Sequence, residues 1–183
     1  MRWIRDEEFL RGKIPMTKFE VRVLTLAMLD LEQGDIFLDV GAGTGSIAVQ
    51  AALLGAEVYA IEREVEGVEL IQENAAKFGV QVQVVHGSAP GVINQIPQFH
   101  KCFIGGSGGQ LHKIVESVNA CLHSGDRIVA NFIRPKNMIE LQDLLKTFEY
   151  RHIETRLIQT AIADKLGLLR GQNPVFIVKG EKA

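Results

Sequence analysis

The sequence lacks the features that mark secreted, metal-binding and membrane-spanning proteins. Its 183 residues include two cysteines, Cys102 and Cys121, whose spacing matches neither a disulfide framework nor a metal site. No apolar stretch is long enough to cross a bilayer, and Met1 to Leu10 mixes charged with apolar residues, unlike a signal peptide. The five histidines are scattered without ligand spacing, so no metal is expected. Together these absences predict a cytoplasmic protein.

The chain also lacks a strong net charge. A formal charge of −2 gives no general electrostatic attraction to nucleic acid, although it leaves local patches open. The apolar content of 46% and charged content of 23% are ordinary for a globular protein with a real core. We therefore expect one domain over residues 1–183. Its parts are an N-terminal arm and helix (1–34), cofactor-binding βα units (35–150) and a C-terminal β-hairpin (151–183).

The most informative stretch present is Ile36 to Ile47, which reads IFLDVGAGTGSI. A short apolar run, an acid at Asp39, three alternate glycines and a helical pattern predict a strand, a tight turn and a helix. Glycines in such a turn permit positive φ and let a ligand pack against bare backbone. The spacing is G-x-G-x-G, whereas the dinucleotide pattern G-x-G-x-x-G/A would need Gly or Ala at Ser46.

An acid also ends the second predicted strand. The run Glu57 to Ile61 is followed by Glu62, and a carboxylate at that tip can accept both hydroxyls of a ribose. The glycine spacing, the upstream Asp39 and the distal Glu62 together resemble the first motifs of class I S-adenosylmethionine (SAM) methyltransferases. An ordinary tight loop is the alternative reading of the glycines alone.

Periodicity predicts an α/β fold of alternating strands and helices. The helix-free pair of strands after the fifth βα unit resembles the antiparallel C-terminal strand pair of the class I methyltransferases, and this resemblance implies their three-layer, Rossmann-like, mostly parallel sheet. The T-x-x-E pattern of Thr17 and Glu20 predicts a capping box at the start of the first helix. The predicted helices are Lys18–Asp30, one from the glycine loop to about Gly55, Glu66–Phe78, Gln110–Leu122 and Pro135–Phe148. The later predicted strands are Val82–Val85, Lys101–Ile104, Arg127–Ile133, a long pattern over Arg151–Ala163, and Val175–Val178 after a loop over Asp164–Asn173.

Three segments carry open alternatives. The N-terminal arm has six bases and four acids up to Arg22, and its charge count favours a solvated arm. The glycine-rich run after the fourth strand, 105–109, predicts a wide, flat ligand close to the backbone, with a flexible connection as the alternative. The loop 164–173 holds Lys165 and Arg170, which would either meet an anionic substrate or sit on a solvated hairpin tip.

A narrower likeness appears in five segments: IPMTKFEVR, LDVGAGTGSIA, HGSAP, FIGGSGG and the closing QNPVFIVKG. In this order, over nearly the whole chain, they resemble the decarboxylating precorrin-6B (or cobalt-precorrin-6B) carbon-15 methyltransferases of cobalamin biosynthesis. The glycine loop is shared by many methyltransferases, whereas P-M-T-K and G-G-S-G-G are more particular to this family.

The resemblance implies SAM-dependent methylation of a meso carbon, coupled to loss of carbon dioxide from the acetate on ring C, with S-adenosylhomocysteine as the other product. Ser88 stands where class I enzymes usually carry an acid that contacts the adenine amino group. The implied cofactor contacts are Thr17, Gly41, Ala42, Gly43, Thr44, Gly45, Glu62, Ser88 and Ala89.

The implied substrate is an anionic tetrapyrrole, with or without cobalt, and the implied assembly is a homotetramer. No carboxylate precedes the fourth strand, where Gln98 to Lys101 reads QFHK, and no catalytic residue is assigned. Other small molecules, RNA, or a SAM-binding subunit without catalysis are the alternative functions. The candidate substrate-binding residues are Arg11, Lys13, Lys18, Arg134, Lys165 and Arg170, with the backbone of Gly105, Gly106, Ser107, Gly108 and Gly109.

Overall fold

Alternating strands and helices build the central sheet. The computed structural model describes residues 2–183. Its strands are β1 Ile36–Val40, β2 Glu57–Glu62, β3 Gln83–His86, β4 Lys101–Ile104, β5 Arg127–Phe132, β6 Arg151–Ile158, β7 Ala161–Ala163, β8 Leu169–Gly171 and β9 Val175–Glu181. Its α-helices are α1 Phe19–Leu29, α2 Ser46–Leu53, α3 Val65–Phe78, α4 Leu111–Cys121 and α5 Pro135–Thr147, with short 3-10 turns at Asp6–Glu8 and Ile93–Gln95.

The large sheet has seven strands in the order β3-β2-β1-β4-β5-β9-β6. Strands β1 to β5 are parallel, and β9 runs antiparallel to both β5 and β6. The predicted α/β sheet with an antiparallel C-terminal pair is therefore confirmed. Because the strand order reverses between β1 and β4, a crevice opens beyond their carboxyl ends, where ligands of such sheets bind.

The two faces of the sheet bury separate clusters. In β1, Leu38 and Val40 pack with α4 and α5, while Phe37 packs with residues of α1 and α2. This alternation is the two-residue period of a strand buried on both faces. It gives the molecule three layers and orients Asp39 toward the same face as Phe37.

The C-terminal segment contains more strand than the sequence predicts. The long pattern over Arg151–Ala163 divides into β6 and β7, and the predicted loop 164–173 contains β8. Strands β7 and β8 pair antiparallel as a separate hairpin, which we call the β7–β8 hairpin. It is inserted between the two antiparallel strands that complete the large sheet.

The N-terminal arm is not a solvated segment. Ile4 and Phe9 are buried in a small cluster with residues of α2 and α3. The guanidinium of Arg22 is fully buried and donates hydrogen bonds to the Ile4 carbonyl (2.6 Å) and the Thr17 carbonyl (2.9 Å). The expectation of a solvated arm is therefore wrong for these residues, because charge count ignores the carbonyl oxygens that can receive a buried cation.

The predicted capping box does not form. Helix α1 starts at Phe19, and its N-cap residue Lys18 makes no side-chain capping bond. Thr17 lies one residue earlier, and its carbonyl accepts bonds from Arg22 and, at 3.4 Å, from the Ser46 hydroxyl. The arm is thus held to the helix start through Arg22. Among residues 2–183, no helix has the length and hydrophobicity needed to cross a membrane.

Candidate active site

Two glycine-rich loops meet at the crevice between β1 and β4. Gly41 has φ +72°, and a Cβ built there would lie 2.8 Å from the Gly106 oxygen and 2.9 Å from its nitrogen. A Cβ on Gly105 would lie 3.1 Å from the Gly41 oxygen. The two backbones therefore approach as closely as glycine allows, and a side chain at Gly41 would push them apart.

A cavity of about 700 Å³ lies on the β1–β2–β3 side of this contact. It brings together five of the nine predicted cofactor residues, and Gly105 to Gly108 and Lys13 form other parts of its wall. The glycine-rich run therefore borders the cavity that the cofactor motifs form. The five predicted residues are Gly41, Gly43, Glu62, Ser88 and Ala89.

Glu62 is held in this cavity by backbone donors. Its Oε2 accepts the Gly43 N–H (2.8 Å), and its Oε1 accepts the N–H groups of Arg63 (2.8 Å) and Glu64 (2.9 Å). Its position requires Gly67, because a Cβ there would lie 2.6 Å from the Glu62 Cγ. A carboxylate has about four acceptor sites, so Oε2 keeps one for a ligand hydroxyl. Contact with both ribose hydroxyls stays a prediction.

A second cavity, of about 320 Å³, lies on the β4–β5 side. It shares Pro15, Gly41 and Gly105 with the larger cavity, so the two are neighbours across the glycine contact. Thr17, Ala42 and Lys18, all predicted site residues, line it. The arm and the glycine contact thus border both cavities.

Asp39, near the end of β1, lies in the wall of the second cavity. Its carboxyl is 0% exposed, and neither oxygen has a hydrogen-bond partner among the described residues. Burial raises its pKa to about 8, and the charge of Glu62 adds to this. The Ala48 N–H at the start of α2 lowers the pKa in part, without reaching hydrogen-bonding geometry. The carboxyl is therefore mostly protonated at neutral pH. An acid at the end of a buried strand was the only sequence signal for it.

Several predicted residues lie outside both cavity walls. Thr44 is buried and Gly45, at φ +75°, precedes α2, but neither lines a cavity. Among the predicted cations, Arg170 pairs with Asp164 at 3.1 Å on the β7–β8 hairpin. The other predicted substrate residues outside the walls, all exposed, are Arg11, Gly109, Arg134 and Lys165. Within residues 2–183, no three His, Cys, Asp or Glu side chains are grouped so as to hold a metal ion.

The sheet order and the crevice are those of a Rossmann-like methyltransferase. A solved structure of a SAM-dependent O-methyltransferase from Thermotoga maritima is similar, with a TM-score of 0.74 and 17% identity. The similarity covers 94% of this chain and 68% of that chain. At this identity it shows the fold alone.

The chain belongs to the precorrin methyltransferase family, because the family model for the precorrin methyltransferase domain matches residues 8–180. It is 38% identical to the probable cobalt-precorrin-6B C(15)-methyltransferase (decarboxylating) of Sulfolobus acidocaldarius, covering 98% of this chain and 97% of the relative. The solved precorrin-6y C5,15-methyltransferase of Geobacter metallireducens is 31% identical, with a TM-score of 0.93 over 99% of this chain and 97% of that one. The predicted family resemblance is confirmed, and the chain is a methyltransferase.

The glycine contact predicts an unequal effect of two alanine substitutions. Gly41→Ala and Gly109→Ala both place a Cβ at positive φ (+72° and +81°), which costs roughly 1–2 kcal/mol. Only at Gly41 would the methyl group meet backbone, whereas nothing lies within 4 Å of a Cβ at Gly109. We expect Gly41→Ala to lower the free energy of unfolding, measured in urea, well beyond Gly109→Ala. Equal losses would contradict a backbone-to-backbone contact.

Asp39 predicts a pH-dependent effect on stability. Its folded pKa of about 8 lies above the unfolded value near 3.9, so its contribution is full below about pH 4 and is lost as pH rises to about 8. Asp39→Asn removes this titration. We subtract the unfolding free energy of the parent from that of the variant. We expect this difference to increase by ~2 kcal/mol or more between pH 5 and pH 8.

Asp143→Asn, on the exposed side of α5, is the matched control because its carboxyl is 66% exposed. Urea titrations of the three proteins at pH 5, 6, 7 and 8 make the comparison. A constant difference between Asp39→Asn and the parent at all four pH values would show that Asp39 is ionised in the folded protein.

Proposed function

We propose that the protein uses SAM to methylate carbon 15 of precorrin-6B, or of its cobalt form, with decarboxylation of the ring C acetate. The observation that carries this proposal is the pair of cavities that meet at Gly41 and Gly105, in a chain of the precorrin methyltransferase family. The larger cavity suits the adenosine part of the cofactor, and its neighbour suits the methionine end together with one edge of an acceptor. The name of the Sulfolobus relative supplies the position of methylation and the decarboxylation.

The residues present fit SAM. In the larger cavity, Glu62 has a free acceptor site that would take a ribose hydroxyl, and Ser88 and Ala89, in the same wall, would hold the adenine. In the second cavity, the partnerless carboxyl of Asp39 suits the α-ammonium group of the methionine part, which would favour its ionised form. The bare backbone of Gly41 and Gly105 lets the sulfonium region lie between the two cavities. When bound, SAM supplies an electrophilic methyl group.

The chain's own contribution is alignment and exclusion of water. The meso carbon of a precorrin is an enamine-type nucleophile, so no strong base is needed to activate it. The second cavity accordingly has no titratable side chain other than Asp39 and Lys18 among the described residues. Holding the acceptor edge in line with the methyl group converts the reaction into an effectively unimolecular step, which alone gives a large acceleration. Lys18 contributes positive charge toward the substrate carboxylates.

The β7–β8 hairpin supports a homo-oligomer, and we propose a tetramer. Four of its large apolar side chains are exposed, among them Leu166 (84%) and Leu169 (73%). Exposed apolar side chains grouped on one short hairpin of a small domain support a protein interface there. Its partner would be the same hairpin of a second copy, because the paired β7 and β8 expose apolar side chains on both strands and on the connection between them.

Light scattering tests the assembly. The parent protein is expected at four times the chain mass of 20.2 kDa. Leu166→Asp with Leu169→Asp is expected to give smaller species, because buried charge would be unpaired at the interface. Val65→Asp, an equally apolar exposed position at the start of α3, is the matched control and should leave the mass unchanged. A parent protein of one chain mass would contradict the tetramer.

Mass spectrometry tests the reaction. Precorrin-6B, with and without cobalt, is incubated with the protein and SAM, and the expected product is heavier by one methyl group and lighter by one carbon dioxide. Glu62→Gln is expected to lower this turnover at least tenfold, since it weakens acceptance of the ribose hydroxyl and of the Gly43 N–H.

The outcomes separate the alternatives. Methylation without loss of carbon dioxide would support the methyltransferase activity and contradict the decarboxylation. Binding of SAM without any product from either tetrapyrrole would leave a non-catalytic subunit or a methyltransferase of another substrate. Turnover unaffected by Glu62→Gln would contradict the placement of the cofactor in the larger cavity.

A further inference from the structure

Four residues in the wall of the second cavity share a distinct chemical character. Asn131 at the end of β5, Thr160 after β6, and Gln172 and Asn173 before β9 line the cavity. These side chains carry amide or hydroxyl groups, all neutral. We call this group of four the amide recess. Asp39 and Lys18, the cavity's titratable side chains among the described residues, belong to β1 and the arm.

Asn131 is a positioned donor within the amide recess. The hydroxyl of Thr25, in α1, lies 3.0 Å from Asn131 Nδ2 and 3.2 Å from Oδ1. Thr25 itself is fully buried, so its hydroxyl fixes the orientation of the Asn131 amide from the protein interior. A side-chain amide has two N–H donors, and Thr25 can accept only one of them. One N–H therefore stays free for a ligand in the cavity that Asn131 lines.

The other side of the amide recess is closed by the base of the hairpin. The backbone N–H of Gln172 donates to the Thr160 carbonyl at 2.8 Å, which joins the segments on either side of the β7–β8 hairpin. Ile133, 62% exposed, and the half-buried Ile158 provide apolar surface at the same end. The recess thus combines polar donors with an apolar rim, the usual character of a specific ligand site.

The size of the cavity limits what can enter. At about 320 Å³ it lies at the lower end of the range of about 300–1,000 Å³ that holds drug-sized ligands. A macrocycle of four rings with its carboxylate side chains is larger than this. Only one edge of the tetrapyrrole can therefore enter, with the rest lying against the apolar rim. The edge that must approach Gly105 carries carbon 15 and, on the adjacent ring, the acetate that is lost.

We infer that the amide recess, with Asn131 as its fixed donor, binds the ring C acetate that leaves as carbon dioxide. This inference rests on the proposed function and names residues for a part of the substrate that the sequence motifs do not assign. Asn131 acts here as a residue that touches substrate, and Thr25 as a positioning residue. Both are distinct from the cations predicted to bind the other carboxylates.

Neutral donors suit a carboxylate that must lose its charge. In the decarboxylation, the bond between the methylene carbon and the carboxylate breaks, and its electron pair enters the methylated, cationic macrocycle. Carbon dioxide departs and leaves a neutral exocyclic methylene group on ring C. This methylene carbon takes up one proton from water while a ring N–H releases one proton to water, so the macrocycle stays neutral. A Lys or Arg partner would stabilise the carboxylate in the ground state and be left without a counterion afterwards, which raises the barrier. An amide orients the group with less of this stabilisation.

Three substitutions test the inference. Asn131→Asp has the same shape but places a negative charge beside the acetate. Asn137→Asp, in the first turn of α5 and outside both cavity walls, adds the same charge as a matched control. Thr25→Val removes the hydroxyl that fixes the Asn131 amide and leaves the cavity wall unchanged. Kinetics with precorrin-6B and calorimetry with S-adenosylhomocysteine are measured for each protein.

We expect Asn131→Asp to raise the KM for the tetrapyrrole at least tenfold, while the Kd of S-adenosylhomocysteine stays within twofold of the parent value. Thr25→Val should give a smaller rise in the same KM, and Asn137→Asp none. If Asn131→Asp fails to fold, Asn173→Asp, at an exposed position of the recess, replaces it. We expect it likewise to raise the KM for the tetrapyrrole while the Kd of S-adenosylhomocysteine stays unchanged.

Other outcomes would overturn the inference. If Asn131→Asp and Asn137→Asp have the same KM for the tetrapyrrole, Asn131 does not contact the acceptor. If the Kd of S-adenosylhomocysteine rises as much as that KM, Asn131 belongs to the cofactor site. Absence of turnover by the parent protein would overturn the proposed function together with the inference, whereas normal parent turnover with unaffected variants would overturn the inference alone.

Discussion

The close approach of two glycine backbones organises this protein. A Cβ on Gly41, after β1, has no room against the backbone of Gly106, after β4, and the two cavities lie on either side of this contact. The sheet creates this contact, because β1 and β4 are parallel neighbours in register, with Val40 beside Ile104. In the proposed function, a cofactor and an acceptor would meet there, because no side chain stands between them.

The N-terminal arm crosses the same glycine-rich loop after β1. A Cβ on Gly43 would lie 3.1 Å from the Pro15 oxygen, so the arm can cross the loop only over bare backbone. The buried Asn74 amide fixes one end of the arm, because it donates to the carbonyls of Leu10 (3.1 Å) and Thr44 (3.0 Å) and accepts the Leu10 N–H. Arg22 fixes the other end at Thr17. These buried polar groups are satisfied mainly by backbone, which gives the arm one defined position.

The sequence predicted the features that depend on local pattern. The bounds of β4 and the C-terminal end of α3 at Phe78 agree with the structure, because an apolar run and the left-handed Gly79 that follows the helix determine them locally. The family and the fold followed from ordered motifs. Burial of Arg22, by contrast, depends on carbonyls up to 18 residues away, and the pairing of β7 with β8 depends on a turn within a segment that looked like loop. The contact of Thr25 with Asn131 joins residues 106 apart, and no periodic pattern indicates it.

The insertion of the β7–β8 hairpin allows changes at the second cavity to occur during evolution without changes at the larger cavity. Its base borders the second cavity, while the larger cavity is built from β1 to β3, the glycine-rich loops and the arm. Variation in the length or sequence of this insertion can therefore alter the wall of the second cavity, with the wall of the larger cavity left intact. A lineage could diversify its chemistry by exchanging one short segment between β6 and β9, while drift in the glycine-rich loops would be eliminated.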